Sequence, residues 1–192
     1  MKRKVIAVTG GIGSGKSAVI SILQNAGYNT LDCDELAREV SLRPEVAEEV
    51  RSLLGDGYVS NGKLNRRAIR DRVFSDSELL ARYNAIFSER TRLLLTERLQ
   101  EYSGCVFVEI SVFDAFDFPW DEVWLVTSSA SERKRRVMER DGVTAKSAED
   151  VMSRQNVCAC YTLTIENDGD LASLKDNVLR ASKLTSEGLF RG

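Results

Sequence analysis

The sequence contains no histidine, only two prolines and only four cysteines among its 192 residues. The absence of histidine excludes every mechanism that needs an imidazole base. The cysteines, Cys33, Cys105, Cys158 and Cys160, match no metal-binding spacing, so we interpret them as reduced thiols. The scarcity of proline and a hydrophobic content of 43% are typical of an ordinary globular protein with a substantial core.

Long apolar runs and a strong imbalance of charge are missing as well. The sequence has no run of about 18 apolar residues, and the short apolar run near its start is too brief for a signal-peptide core. We therefore expect a cytoplasmic protein. Because 27 basic and 29 acidic side chains leave a net charge of −2, we expect no nucleic-acid or membrane partner. Any anionic ligand then needs a local basic site.

A glycine-rich stretch follows the first apolar run. Residues 10–17 match G-x-x-x-x-G-K-[ST] in full, between a predicted strand at 5–8 and a predicted helix from Lys16. Glycines let backbone N–H groups point at phosphate oxygens, and the start of the helix adds partial positive charge. Lys16 would bridge the β- and γ-phosphates, and the Ser17 hydroxyl would bind Mg²⁺. The predicted nucleotide-binding residues are Gly11, Gly13, Ser14, Gly15, Lys16, Ser17 and Ala18.

The rest of the chain predicts an α/β fold of the P-loop NTPase type, with a parallel sheet flanked by helices, a helical insertion and a lid. Strand and helix patterns alternate in residues 1–35 and 103–192, which we assign to a nucleotide-binding core. Within it, residues 130–156 form the predicted lid. Residues 36–102 are mostly helical and are either a substrate-binding insertion or a helical cover for the sheet. The loop motif alone is compatible with a kinase, a GTPase or an ATPase. The sequence lacks the Asn-Lys-x-Asp pattern that reads guanine, which makes a GTPase less favoured.

Two aspartates end the second predicted strand, at 29–33. Asp32 and Asp34 are two residues apart, so on a strand both could face the same side. Carboxyl ends of neighbouring parallel strands open onto one crevice, which would bring these acids near the γ-phosphate. A carboxylate there can position an attacking hydroxyl or accept its proton. Alternatively, Asp34, with or without Asp32, caps the following helix.

A basic helix is predicted in the second half of the chain. Arg133, Arg136 and Arg140 fall on one face, where they could close over a nucleotide and neutralise charge on the transferred phosphoryl group. The alternative is a solvated basic face, with Glu132 and Glu139 as ion-pair partners.

Segments spread over most of the chain resemble the dephospho-CoA kinase family. They are TGGIGSGKS at 9–17, LDCDELAREV with Ala37 and Arg38, GKLNRRAIRDRVFSD at 62–76 with Arg66, YNAI with Asn84, Arg140-Asp141, Gln155, and IENDG at 165–169. The chain departs from this family where His-Pro is usual, because it has Phe87 and Ser88. It also has Ser111 to Asp114 in place of Pro-Leu-Leu-Phe-Glu, which leaves Asp114 as a stand-in for the glutamate.

The resemblance implies ATP-dependent phosphorylation of the ribose 3′-hydroxyl of dephospho-CoA, a small-molecule substrate, with ATP and Mg²⁺ as cofactors. It implies that Asp34 is the general base, that Lys16 and Arg140 act on the phosphates, and that the helical insertion binds CoA. The implied substrate-binding residues are Asp32, Asp34, Arg38, Arg66 and Asn84. Two alternatives stay open: a kinase of the same architecture acting on another nucleoside or nucleotide, and a non-catalytic nucleotide-binding relative.

Overall fold

The structure is a computed structural model that describes residues 3–113, 117–153 and 160–188. These residues belong to two compact units. The core unit lies within Met1–Asp32, Tyr102–Asp114 and Pro119–Gly192, and the helical unit lies within Cys33–Glu101 and Ala115–Phe118. None of the described helices is long and apolar enough to span a membrane.

The secondary-structure elements alternate in the core unit and are mainly helical in the helical unit. In chain order they are β1 (Lys4–Thr9), α1 (Lys16–Asn25), β2 (Asn29–Asp32), α2 (Cys33–Val40), α3 (Pro44–Leu54), a 3₁₀ turn (Asp56–Tyr58), β3 (Val59–Ser60), β4 (Lys63–Leu64), α4 (Arg66–Val73), α5 (Ser77–Leu99), β5 (Cys105–Glu109), β6 (Glu122–Thr127), α6 (Ala130–Asp141), α7 (Ala145–Ser153), β7 (Leu163–Glu166) and α8 (Leu171–Ser186).

The core unit is built on a parallel sheet. Within the described residues, five strands pair in the order β2-β5-β1-β6-β7, every pairing being parallel. Its central strands are near-continuous apolar runs because helices cover both faces of a parallel sheet. Phe107 and Trp124 are fully buried with ring centroids 5.0 Å apart, and they pack with residues of α1 and α8. The predicted α/β fold is therefore confirmed.

Local signals in the sequence predict a helix stop at Gly27, a helix cap at Ser75-Asp76 and a closing helix from Asp170 onward, and the structure has helix ends next to these positions. Helix α1 begins at Lys16 and is followed by Gly27, whose φ of 86° suits a left-handed stop that glycine tolerates best. The side chains of Asp76 and Asp170 accept hydrogen bonds from Leu79 N and Ser173 N at the starts of α5 and α8.

Three features differ from the expectation. The apolar pattern predicts a strand over 105–112, but β5 ends at Glu109. The second strand, predicted over 29–33, ends at Asp32 because α2 begins at Cys33. Strands β3 and β4 form an antiparallel hairpin at Asn61-Gly62, where only a turn was expected. Both turn residues have positive φ, as a tight hairpin requires, but strands of two residues are too short to show a period.

Candidate nucleotide and acceptor sites

The glycine-rich loop joins β1 to α1 at the carboxyl end of the sheet. Gly15 occupies the N-cap of α1 in a left-handed conformation, with φ of 96°. A Cβ atom there would lie 2.0 Å from Asn167 Nδ2, and a Cβ at Gly13 would lie 2.6 Å from Arg133 O. Only glycine fits these two positions, because each combines positive φ with a close neighbour. The motif therefore has the strand–loop–helix context that phosphate binding requires.

Lys16 and Ser17 are the first two residues of α1. Lys16 Nζ donates to Gly10 O over 3.0 Å, so the side chain folds back along the loop. Ser17 Oγ donates to Glu109 Oε1 over 3.0 Å. Glu109 is the last residue of β5, which pairs with β1 through the Val8–Glu109 register. The two side chains that would meet the phosphates and a metal ion thus lie together at the head of α1.

Glu109 was not among the residues that the sequence indicated. The family resemblance indicated Asp114 as the stand-in for the usual glutamate, and Asp114 lies outside the described residues. The signal that could have found Glu109 is its position as the acid ending an apolar strand beside β1. Its carboxylate and the Ser17 hydroxyl are oxygen ligands, which Mg²⁺ prefers, so the residues present fit the ion.

The basic helix α6 contacts carbonyl oxygens of the phosphate loop through Arg133 and Arg136, two of the three arginines predicted to share a face. Arg133 Nε donates to Ile12 O over 2.9 Å, and Arg136 Nη1 lies 3.3 Å from both Gly13 O and Ser14 O. Burial lowers the pKa of the Arg133 guanidinium. In the described residues, these two arginines bind loop carbonyls.

Arg140, the arginine implied to touch phosphate, is paired elsewhere. Its Nε and Nη2 donate to the two carboxylate oxygens of Asp141 over 2.7 and 2.8 Å, and its side chain is 62% exposed. Hydrogen bonding from Arg140 lowers the pKa of Asp141. Its role at the phosphates stays a prediction, and Gln155 of the predicted lid lies outside the described residues.

A solvated basic face, the alternative interpretation of this helix, is present on another side of α6. Arg135 pairs with both Glu132 and Glu139 at the surface. Hydrogen bonding from Arg135, with further help from Arg136, lowers the pKa of Glu132 to about 2. One helix therefore has both an ordinary solvated face and a face that binds the loop.

Asp32 and Asp34 lie on different secondary-structure elements. Asp32 is the last residue of the strand, whereas Asp34 is in the first turn of α2. The premise that both residues lie on the strand is wrong, because the helix begins at Cys33, between them. An acid in the first turn suits the helix dipole, which is compatible with a functional role. The capping alternative for Asp34 stays a prediction.

A cavity of about 370 Å³ lies in the helical unit. Residues of α2 spaced by one helical turn line one side of it, Ser41 follows directly after that helix, and α4 and α5 supply one residue each. Arg66 Nη2 donates to Ser41 Oγ over 2.7 Å, which in turn donates to Arg38 O over 2.7 Å. The lining residues are Asp34, Ala37, Arg38, Ser41, Arg66 and Phe87.

The cavity brings together three of the residues implied to bind substrate, Asp34, Arg38 and Arg66. Asn84 is exposed on α5 and is not one of the lining residues given above. Phe87 stacks at a tilt on Tyr83, with centroids 5.0 Å apart. Burial raises the pKa of Tyr83, while the Arg66 charge acts in the opposite direction. The cavity thus combines two cations, one carboxylate and an aromatic ring.

A parallel sheet with this loop at the head of α1 defines the P-loop NTPase fold, and the structures most like it include P-loop kinases. The fold is shared with a solved dephospho-CoA kinase from Campylobacter jejuni, at a TM-score of 0.66 and 18% identity over 97% of this chain and 98% of that one. It is also shared with the crystal structure of TT1252 from Thermus thermophilus, at a TM-score of 0.83 and 32% identity over 96% and 98% of the two chains.

The family model for dephospho-CoA kinase matches residues 4–173. A dephospho-CoA kinase from Thermus thermophilus is 36% identical over 183 residues, which are 89% of this chain and 86% of the relative. The chain belongs to the dephospho-CoA kinase family.

Proposed function

We propose that this protein transfers the γ-phosphoryl group of ATP to the ribose 3′-hydroxyl of dephospho-CoA, giving CoA and ADP in the last step of CoA biosynthesis. The observation that carries the proposal is the G-x-x-x-x-G-K-S loop at the head of α1 in a chain of this family. We propose the cytoplasm as its location, as expected from the sequence.

The loop supplies the binding energy for the triphosphate. Backbone amides at the start of α1 bind phosphate oxygens, and Lys16 exchanges its bond to Gly10 O for contacts with the β- and γ-phosphates. Little covalent chemistry is asked of the protein in phosphoryl transfer, so positioning and charge neutralisation dominate. The residues assigned to this task are Gly11, Gly13, Ser14, Gly15, Lys16, Ser17 and Ala18.

The Ser17 hydroxyl and the Glu109 carboxylate would hold Mg²⁺. A bound ion would supply charge neutralisation for the transferred phosphoryl group. Without it, the Ser17–Glu109 hydrogen bond keeps both oxygen ligands oriented at the head of the helix.

Asp34 orients the 3′-hydroxyl and accepts its proton as the oxygen attacks the γ-phosphorus. The bond between the γ-phosphorus and the β,γ-bridging oxygen breaks, and that oxygen leaves with ADP. Arg38 and Arg66 bind the diphosphate of dephospho-CoA by charge-assisted hydrogen bonds, with Asp32 and Asn84 in supporting contacts. Arg140 leaves Asp141 to contact the phosphates of the bound nucleotide.

A product assay tests the proposal directly. The purified chain is incubated with ATP and Mg²⁺ and, in separate reactions, with dephospho-CoA, nucleosides and nucleoside monophosphates, and products are resolved by mass. We expect CoA and ADP in equal amounts from dephospho-CoA alone. Preferential phosphorylation of a nucleoside or nucleotide would reassign the substrate. Nucleotide binding without turnover of any acceptor would indicate a non-catalytic relative.

A further inference from the structure

Two side chains distant in sequence from the phosphate loop converge on its back. Asn167 Nδ2 donates to Ser14 O over 2.8 Å, and Arg136 Nη1 is shared between Gly13 O and Ser14 O. Arg136 Nη2 also donates to Asn167 O over 2.9 Å, so the two side chains that bind the loop are bonded to each other. We call Asn167 and Arg136 together the brace. Asn167 is only 6% exposed and its own N–H donates to Thr127 O over 2.9 Å, so β6 and β7 hold it in place.

These bonds determine where the loop's N–H groups point. In a trans peptide the carbonyl of one residue and the N–H of the next point in opposite directions, and the described residues contain no cis peptide. When Ser14 O faces Asn167 and Gly13 O faces Arg136, the N–H groups of Gly15 and Ser14 are turned away from both. Ser14 N donates to Gly11 O over 3.0 Å, which leaves Gly15 N–H as the amide directed most clearly by the brace.

We propose that Asn167 and Arg136 are positioning residues for nucleotide binding, which hold the Ser14–Gly15 peptide so that its N–H faces the phosphates. Arg136 then acts through the loop backbone and does not contact phosphate, in contrast to an arginine that closes over the nucleotide. This inference rests on the proposed function only in that the loop binds a nucleoside phosphate.

The decisive variant is Asn167→Asp, which keeps the shape of the side chain and replaces its donor with an oxygen facing Ser14 O. Repulsion between the two oxygens turns the peptide, and we expect the affinity for ADP, measured by calorimetry, to fall about 10- to 100-fold. Asn177→Asp on α8 makes the same change of charge beside Arg180 and should leave ADP affinity within about twofold of the wild type.

Arg136 variants keep the test decisive if Asn167→Asp folds poorly. Arg136→Gln removes the fork and should weaken ADP binding about tenfold, whereas Arg136→Lys keeps the charge but reaches one carbonyl at a time, so it should recover part of the loss. Thermal unfolding is measured on every variant. A role in stability alone would lower the melting temperature without changing the ADP affinity of the folded protein.

ADP affinities within twofold of the wild type for both folded Asn167→Asp and Arg136→Gln would overturn the proposal, and so would a wild type that binds no ADP. A wild type that binds ADP but makes no CoA overturns the proposed function instead, and the affinity series still decides the role of Asn167. We further expect KM for dephospho-CoA at saturating ATP to stay within about twofold in Arg136→Gln, because Arg136 is not among the residues that line the cavity of the helical unit.

Discussion

The phosphate loop and the cavity of the helical unit are held by different parts of the chain. In the loop, backbone groups are the proposed ligands, and side chains from other elements fix the backbone: the buried Asn167 is bonded to Ser14 O and the half-buried Arg133 to Ile12 O. In the cavity, the groups available to a ligand are themselves long, exposed side chains, with Arg66 bonded to Ser41 Oγ. One site is preformed backbone, and the other is assembled from side chains.

This difference predicts how each site responds to mutation. A rigid backbone site loses function when its geometry is disturbed from behind, even by residues that never touch the ligand. A side-chain site loses function one contact at a time, in proportion to the chemistry of each removed group. Substitutions in the cavity should therefore separate cleanly into effects on turnover and effects on acceptor affinity.

Asp34 should give the largest effect. Asp34→Asn keeps the size of the side chain but removes the group that accepts the proton, so kcat should fall by about 10²- to 10⁴-fold. ADP affinity, measured by calorimetry, should not change. Asp71→Asn, an exposed acid of α4, is the matched control and should keep wild-type turnover. Unchanged turnover in Asp34→Asn would remove this residue from the mechanism.

A substitution of Glu109 tests whether Mg²⁺ binding beside the loop depends on a side-chain carboxylate. Glu109→Gln retains a partner for Ser17 Oγ but loses the negative charge, so the Mg²⁺ concentration for half-maximal activity should rise about 10- to 100-fold. Glu166→Gln, at the end of strand β7, makes the same change elsewhere on the sheet and should leave the Mg²⁺ requirement unaltered. An unshifted Mg²⁺ titration for Glu109→Gln would contradict the assignment of this carboxylate.

What the sequence could predict follows the same division. The loop at 10–17, the cap at Asp76 and the start of a helix at Asp170 depend on neighbours within a few residues, so their patterns are visible locally. Asn167 lies 153 residues along the chain from Ser14, and no local pattern shows that they meet. Spacing put three arginines on one face of α6, but only tertiary structure separates Arg136 at the loop from Arg140 at Asp141.

Arg66 should give an intermediate effect that is confined to the acceptor. Arg66→Ala removes a charge-assisted contact, so KM for dephospho-CoA should rise about tenfold or more while KM for ATP stays constant. The neighbouring Arg67 is also exposed and lies outside the set of lining residues, so Arg67→Ala is a closely matched control. If Arg66→Ala and Arg67→Ala raise KM for dephospho-CoA equally, only the general positive charge of this surface matters. That result would contradict a specific contact of Arg66 in the cavity.

Phe87 should give the smallest effect, because an aromatic wall contributes contact area and not charge. Phe87→Leu keeps an apolar side chain but loses the ring that lines the cavity and also packs on Tyr83. Loss of one aromatic contact corresponds to about 0.5–1.5 kcal/mol, so KM for dephospho-CoA should rise about 2- to 10-fold with kcat unchanged. Phe74→Leu, at a phenylalanine that is 69% exposed after α4, should leave both constants unchanged. A fall in kcat for Phe87→Leu would mean that the ring orients the acceptor, and the cavity would then share the dependence on geometry that characterises the loop.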